Sequence, residues 1–191
     1  MKSLFIAPHN DDEALFGSYI IQVYKPLVLV LTDSYIQYER GELQSHWLAR
    51  RSETLAAMKI LDADVVFAGI PDKDFNADLC EKALLPYAMK VNTPQPPGCG
   101  YDMVFSPSPK EGGNWMHDVT GQVANKVFPG ISIHYSTYTK TREYPAGHTL
   151  IFPSEVMRQN KLRAIECYKS QMVNVCRMYL TTSHKDEYFC D

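Results

Sequence analysis

Short apolar runs alternate with stretches of helical periodicity along most of the chain. The clearest run, residues 27–31, is apolar throughout, which is typical of a strand buried on both faces of a parallel sheet. Similar runs predict strands at 4–7, 65–68, 103–105 and 131–138, and the segments between them predict helices at 13–24, 46–61, 78–91, 154–169 and from residue 117 onward. Because strands and helices alternate, we expect a single α/β domain over residues 1–191, with a mainly parallel sheet and helices on both faces.

Composition and charge exclude several classes of function. The 191 residues carry a formal net charge of −3 and have a pI of about 6.1, which argues against binding nucleic acid through bulk positive charge. No apolar run approaches the roughly 20 residues that a membrane-spanning helix needs. The five cysteines include no Cys-x-x-Cys pair, so they indicate neither a disulfide framework nor a thiolate zinc site. We therefore expect a cytoplasmic protein with no nucleic-acid partner and no membrane span; the sequence does not indicate its oligomeric state.

Candidate chemistry is concentrated at the end of the first predicted strand. Ligands of parallel sheets bind beyond the carboxyl ends of the strands, and there the sequence reads Ala-Pro-His-Asn-Asp-Asp-Glu over residues 7–13. Three adjacent acids repel one another unless a cation or a helix N-terminus offsets them. Helix capping explains one or two of the acids, but it explains neither His9 nor the crowding of Asp11 against Asp12. A metal held by imidazole and carboxylate explains all of these features, so we predict a metal site.

The metal needs a third protein ligand, and His117 is the leading candidate. It follows the predicted strand at 103–105, which places it at the same edge of the sheet as His9. The remaining histidines are His46, His134, His148 and His184. His46 opens another helix and His148 lies in a loop, and these two are the alternatives if His117 is not a ligand.

The chain resembles the LmbE/PIG-L deacetylases, zinc-dependent enzymes that remove acetyl groups from N-acetylglucosamine conjugates. Residues 7–13 match the Pro-His-Pro-Asp-Asp-Glu signature of that family. Further matches, in the family's order, are Arg50, Glu53, Ala57 and Leu61 in a spaced helix pattern, Gly69 to Asp72 in a Gly-x-Pro-Asp turn, residues 101–105 followed by His117, and Lys161, Ala164, Ser170 and Gln171. These elements cover most of the chain. The resemblance implies a Rossmann-like fold and a hydrolase that cleaves a linear amide C–N bond.

Carried over residue by residue, the resemblance implies a catalytic set. His9, Asp12 and His117 become the metal ligands, with Zn²⁺ as the expected ion and another divalent metal such as Fe²⁺ as the alternative. Asp11 becomes the general base that deprotonates the metal-bound water, which then attacks the amide carbonyl. Asn10 replaces a proline of the signature, which changes no ligand.

The resemblance also implies a substrate. Arg50 and Asp72 correspond to residues that line the family's sugar pocket, although Tyr168 replaces a histidine near that pocket. We therefore expect a hydrolase that removes an N-acetyl group from an N-acetylglucosamine-type sugar or conjugate. The alternatives are an amidase that acts on a different small N-acyl compound, such as a modified nucleoside, and a metal-containing binding protein of weak catalytic power.

The second family motif is altered in this chain. The family reads His-Pro-Asp-His where residues 114–117 read Asn-Trp-Met-His, so the ligand His117 is kept while Asn114 and Met116 are substitutions. In the family the first histidine stabilises the oxyanion or protonates the departing amine. An asparagine can donate to an oxyanion but cannot deliver a proton, so we expect Asn114 to serve the oxyanion. The proton for the amine is then left to Asp11, His148 or Tyr138.

Overall fold

The computed structural model describes residues 1–33, 45–88, 100–109, 113–137, 148–171 and 187–190. The strands are β1 Ser3–Ala7, β2 Leu27–Thr32, β3 Val65–Ile70, β4 Met103–Pro107, β5 Ser132–Tyr135, β6 His148–Ile151 and β7 Glu187–Cys190. The helices are α1 Asp12–Leu15, α2 Ser18–Tyr24, α3 Ser45–Leu61, α4 Ala77–Ala88, α5 Trp115–Val127 and α6 Glu155–Ile165, with 3₁₀ turns at Asp72–Asp74 and Lys169–Gln171. Within these ranges no helix is long and apolar enough to cross a membrane.

The strands form one sheet in the order β3-β2-β1-β4-β5-β7-β6. The first five strands of that order run parallel, and β7 and β6 add an antiparallel edge. The predicted mainly parallel sheet is therefore confirmed, while β6 and β7 are additions that the sequence pattern did not predict. β1 lies between β2 and β4, so the loop that follows β1 leaves from the middle of the sheet.

Both faces of the sheet are covered, which explains the continuously apolar strands. Alternate residues of β1 point to opposite faces: Phe5 packs into a core with residues of α1, α2, α3 and α6, whereas Leu4 and Ile6 pack into a second core with residues of α4 and α5. All three side chains are fully buried. The prediction of helices on both faces is confirmed.

The predicted helix at 13–24 is two helices, α1 and α2, separated by Phe16 and Gly17. The break falls at a close contact with the sheet, where a Cβ on Gly17 would lie 2.1 Å from Cζ of Phe5. The chain approaches β1 so closely there that only glycine fits. The predicted helix at 154–169 ends early as well: α6 stops at Ile165, and the chain resumes as a 3₁₀ turn at Lys169–Gln171.

A second close approach sets the position of α5. A Cβ on Gly121 would lie 2.3 Å from the carbonyl oxygen of Pro107, at the end of β4, and 2.9 Å from the backbone nitrogen of Pro109. His117 lies one turn earlier on the same face of α5, because residues four apart share a helix face. The backbone contact at Gly121 therefore fixes how deeply His117 sits at the edge of the sheet.

We expect Gly121→Ala to destabilise the fold, although alanine is the better helix former by about 1 kcal/mol. The added Cβ must displace the backbone of β4, and overpacking of this kind costs about 1–3 kcal/mol. Urea denaturation measures the free energy of unfolding. Gln122→Ala, an exposed neighbour on the same helix, should change it by less than about 0.5 kcal/mol. A Gly121→Ala protein as stable as wild type would show that α5 can move freely away from β4.

Candidate metal centre

The loop after β1 is fixed to β2 by hydrogen bonds. The carbonyl oxygen of Pro8 accepts from the backbone nitrogen of Thr32 at 3.0 Å and from its hydroxyl at 2.9 Å. The side-chain amide of Asn10 donates to the carbonyl oxygen of Thr32 at 3.2 Å. Asn10 is fully buried, so the residue that replaces the proline of the signature serves as an anchor for the loop.

His9, Asp12 and His117 converge at the end of β1. Oδ2 of Asp12 lies 3.0 Å from Nδ1 of His9 and 3.2 Å from Nε2 of His117, and the two ring nitrogens are 3.2 Å apart. Asp12 and His117 are almost completely buried. The structure therefore brings the three predicted ligands together into a triangle of donor atoms.

This triangle fits a divalent metal. A tetrahedral zinc ion with bonds of about 2.0–2.1 Å holds neighbouring ligand atoms about 3.3 Å apart, close to the separations observed here. The second carboxylate oxygen of Asp12, Oδ1, is buried and has no hydrogen-bond partner among the described residues. A buried carboxylate oxygen without a partner is costly, and a cation removes that cost. The same His₂Asp set also suits Fe²⁺, so the donors do not select the ion.

The pKa values of Asp12 and His9 are shifted by the groups around them. Burial raises the pKa of Asp12, but the neighbouring imidazoles of His117 and His9 outweigh burial and hold it well below its usual range. Burial lowers the pKa of His9, but the carboxylate of Asp12 outweighs burial and raises the pKa above 6.5. Asp12 is therefore a permanent anion, as a metal ligand must be.

Asp11 is not one of the three ligating residues, and its carboxylate contacts Arg50. The guanidinium of Arg50 donates to the carbonyl oxygen of Asn10 and, at 3.3 Å, to the carboxylate of Asp11. Burial raises the pKa of Asp11 to about 6, against the opposing effect of Arg50. Its backbone has a φ of 114°, which is strained for a residue other than glycine.

The helix-capping interpretation of the acids fails for the two aspartates. Asp11 occupies the N-cap position of α1, yet its side chain makes no capping hydrogen bond. The carboxylate of Asp12 accepts a hydrogen bond from the backbone nitrogen of His9 at 2.8 Å, which holds it turned back toward the loop. Both carboxylates are thus committed to the side-chain cluster.

Glu13 is buried in a hydrogen-bonded chain behind the two aspartates. Its carboxyl contacts the hydroxyl of Tyr168, which lies 3.2 Å from that of Thr54, and Thr54 donates to the side-chain oxygen of Asn10 at 2.9 Å. Burial raises the pKa of Glu13 to about 8. The hydroxyl of Tyr168 is the donor toward Glu13, so this contact opposes the effect of burial on the pKa of Glu13 without outweighing it.

The same hydrogen-bonded series also supports the strained backbone of Asp11. The second oxygen of Glu13 accepts a hydrogen bond from the backbone nitrogen of Asp11 at 3.2 Å. The sequence pattern identifies Tyr168 only as a departure from the family and gives Thr54 no role. A signal for Thr54 was present, because it is a hydroxyl residue one turn after Arg50, on the same face of α3.

The N-terminus of α5 carries the altered second motif. Asn114 is the N-cap: its side-chain oxygen accepts from the backbone nitrogen of Met116 at 2.9 Å, which leaves the NH₂ group as its remaining donor. The sulfur of Met116 lies 3.2 Å from Nε2 of His9. Trp115 is 57% exposed and packs edge-on against Phe75, with the ring centroids 5.6 Å apart.

The other predicted site residues are less closely tied to the triangle. Asp72 begins a 3₁₀ turn and is largely buried, and its charge is close enough to raise the pKa of His9. The ring of His134 contacts Ser106 and Asn125, so it takes no part in the metal cluster. Tyr138 and His184 lie outside the described residues, as do the side chains of His46 and His148.

Residues 4–128 match the model of the GlcNAc-PI de-N-acetylase (PIG-L) family. This match covers well over half of the chain, and the chain belongs to that family. No curated protein matches the chain significantly.

Solved structures share the fold at low sequence identity. A triple mutant of the deacetylase Orf2 from teicoplanin biosynthesis is 20% identical with a TM-score of 0.75, over 99% of this chain and 96% of that one. The zinc-inhibited form of teicoplanin deacetylase Orf2 is 16% identical with a TM-score of 0.69, over 99% and 97%. GalB, the 4-carboxy-2-hydroxymuconate hydratase of Pseudomonas putida KT2440, is 21% identical with a TM-score of 0.67, over 96% and 84%. At these identities the likeness establishes the fold alone.

We expect His117→Ala to abolish tight metal binding, because two protein ligands remain. Wild-type protein should retain one equivalent of Zn²⁺ after desalting, measured by elemental analysis, and the variant far less. Zn²⁺ at 100 times its dissociation constant stabilises the folded state by about 2.7 kcal/mol, so it should raise the Tm of wild type only.

His134→Ala is the matched control, since that ring lies outside the metal cluster, and it should retain its zinc. A full equivalent of zinc in His117→Ala would show that His117 is not a ligand, and His46 and His148 would then be tested.

Proposed function

We propose that this protein is a metal-dependent N-deacetylase, with zinc as the metal and an N-acetylglucosamine-type sugar or conjugate as the substrate. One observation carries the proposal: the buried carboxylate of Asp11, held by Arg50, adjoins a triangle of metal-ligating atoms but is not part of it. Hydrolysis of an amide by an activated water needs both parts, a cation and a separate base. Membership of a de-N-acetylase family supports the same reaction.

In this proposal His9, Asp12 and His117 hold the metal. A divalent ion bound there supplies a Lewis acid that polarises the amide carbonyl and acidifies a water molecule. Asp11 accepts a proton from the attacking water, a task suited to a carboxylate whose pKa is near the working pH. Arg50 holds the carboxylate of Asp11 in place through its 3.3 Å contact.

Asn114 serves the oxyanion. Its side-chain oxygen is occupied by the backbone of Met116, so the group it can present to the substrate is the NH₂, which is a donor. A donor placed where negative charge develops stabilises the transition state. The departing amine must still gain a proton, and Asp11, protonated in the first step, is the described residue that can return it.

The substrate assignment rests on the family description and on the surroundings of the site. The family model is that of an enzyme acting on N-acetylglucosamine linked to phosphatidylinositol, and two of the solved structures are described as deacetylases of teicoplanin biosynthesis. Asp72 has a carboxylate near the metal triangle that could accept hydrogen bonds from sugar hydroxyls. Arg50 is the second residue of the expected sugar pocket. Acetate release from a panel of N-acetyl sugars and other N-acyl compounds, assayed with the zinc protein, distinguishes a sugar deacetylase from an amidase of other substrates and from a binding protein.

We expect Asp11→Asn and Asp12→Asn to fail in different ways. Asp11→Asn keeps the size of the side chain but cannot accept a proton, so it should keep the metal and lose about 10²–10⁴-fold in turnover. Asp12→Asn weakens a ligand, so it should lose metal first and regain part of its activity in excess metal. Zinc content and acetate release are measured on both. An Asp11→Asn enzyme with near-normal turnover would overturn the assigned mechanism.

For Asn114, two substitutions separate the helix cap from the donor. Asn114→Asp keeps the cap, because aspartate caps as well as asparagine, but replaces the NH₂ donor with an oxygen. We expect it to retain its Tm and to lose about 10²–10³-fold in turnover, the range for removing one oxyanion donor. Asn114→Ala loses both, so it should show the same loss of turnover together with about 1 kcal/mol of destabilisation. Full activity in Asn114→Asp would mean that the NH₂ group does not face the substrate.

A further inference from the structure

Met116 has a direct contact with a proposed metal ligand. Its sulfur lies 3.2 Å from Nε2 of His9, on the side of the ring opposite the nitrogen that faces Asp12 and His117. Met116 is 96% buried, so water is largely excluded from this contact. Two groups contact Nδ1 of His9: the carboxylate of Asp12 and the ring of His117. Among the described residues, Met116 alone contacts Nε2.

When a cation occupies the triangle and Nδ1 faces it, the contact favours a proton on Nε2. A thioether sulfur is an acceptor only, so the pair is attractive when Nε2 carries the hydrogen and repulsive when Nε2 presents a lone pair. A neutral imidazole with its proton on Nε2 has its free lone pair on Nδ1, the atom that faces the other two donors. Met116 therefore stabilises the form of His9 that binds a metal through Nδ1, whereas the carboxylate of Asp12 favours a proton on Nδ1 when no metal is bound.

We propose that Met116 is a positioning residue of the metal centre, acting as the hydrogen-bond acceptor that fixes the tautomer and orientation of His9. This inference rests on the metal site of the proposed function. Metal-bound histidines usually donate their second N–H to a carboxylate, a carbonyl or water, and here a sulfur takes that place. Because sulfur is a weaker acceptor than oxygen, it makes His9 a less basic ligand than an oxygen partner would.

The alternative is that Met116 only fills space in the core around α5, where it packs with Phe75 and Val123. The two roles predict opposite rankings of the same two variants. Met116→Leu keeps an apolar side chain of similar volume but has no acceptor, and Met116→Gln supplies an oxygen acceptor but places a polar group in the core. A space-filling role favours leucine, whereas an acceptor role favours glutamine.

The experiment measures the dissociation constant for Zn²⁺ by competition with a chelator, and the Tm of the metal-free proteins. We expect Met116→Leu to bind Zn²⁺ about tenfold more weakly, the lower end of the range for losing a partner of a metal-bound histidine. Met116→Gln should bind at least as tightly as wild type even if its metal-free Tm is lower. Met58→Leu, a buried methionine in the other core, is the control and should bind as wild type does.

A second measurement is independent of affinity. In the zinc-loaded proteins, the ¹H–¹⁵N signal of the Nε2–H group of His9 should shift between wild type and Met116→Leu, because the substitution removes the hydrogen-bond acceptor. Met116→Leu with wild-type affinity, or with an unshifted Nε2–H signal, would overturn the role of Met116 while leaving the metal site intact. Wild-type protein that binds no Zn²⁺ would overturn both this inference and the metal site on which it depends.

Discussion

The structure depends on the burial of three consecutive acids, Asp11, Asp12 and Glu13, at the carboxyl end of β1. An isolated carboxylate buried without a partner costs several kcal/mol, a large part of the stability of a domain this size. Each acid is accommodated differently. Asp12 lies between two imidazoles, Asp11 faces the guanidinium of Arg50, and burial raises the pKa of Glu13 to about 8, which leaves it neutral at pH 7.

The partners of these three acids include several polar side chains that are buried in the core. Arg50 and Thr54 lie on the inner face of α3, Tyr168 follows α6, and His117 projects from α5. They come from three parts of the chain, α3, the segment after α6, and α5, so helices on both faces of the sheet meet at the loop after β1. The same division separates the proposed roles. Asp12, between two imidazoles, holds the metal; Asp11, with a pKa near 6, takes a proton; and Glu13 holds the backbone of Asp11.

Local pattern was sufficient for much of the fold. The apolar runs predict β1 to β4 to within two residues, since strands buried on both faces need continuous apolar sequence. The break between α1 and α2 was missed because an isolated glycine is compatible with a helix, and only the ring of Phe5 excludes the Cβ. The edge strands β6 and β7 were missed because short antiparallel pairs far apart in sequence leave little local signal. In the site, the sequence places His9, Asp12 and His117 together, but Thr54 and Met116 act through contacts that no local pattern reveals.

The substitutions in the second motif form a consistent set. Asn114 caps α5 through the backbone of Met116, and the sulfur of Met116 faces His9. A histidine at position 114 would remove this cap, which contributes about 1 kcal/mol, from the helix that carries His117. The new histidine would also have no aspartate partner, since position 116 is a methionine whose sulfur contacts the ring of His9. Restoring the family's histidine alone would therefore weaken the support of one metal ligand without supplying the partner that the new side chain needs. Asn114 and Met116 are coupled through the first turn of α5, so the two substitutions act together.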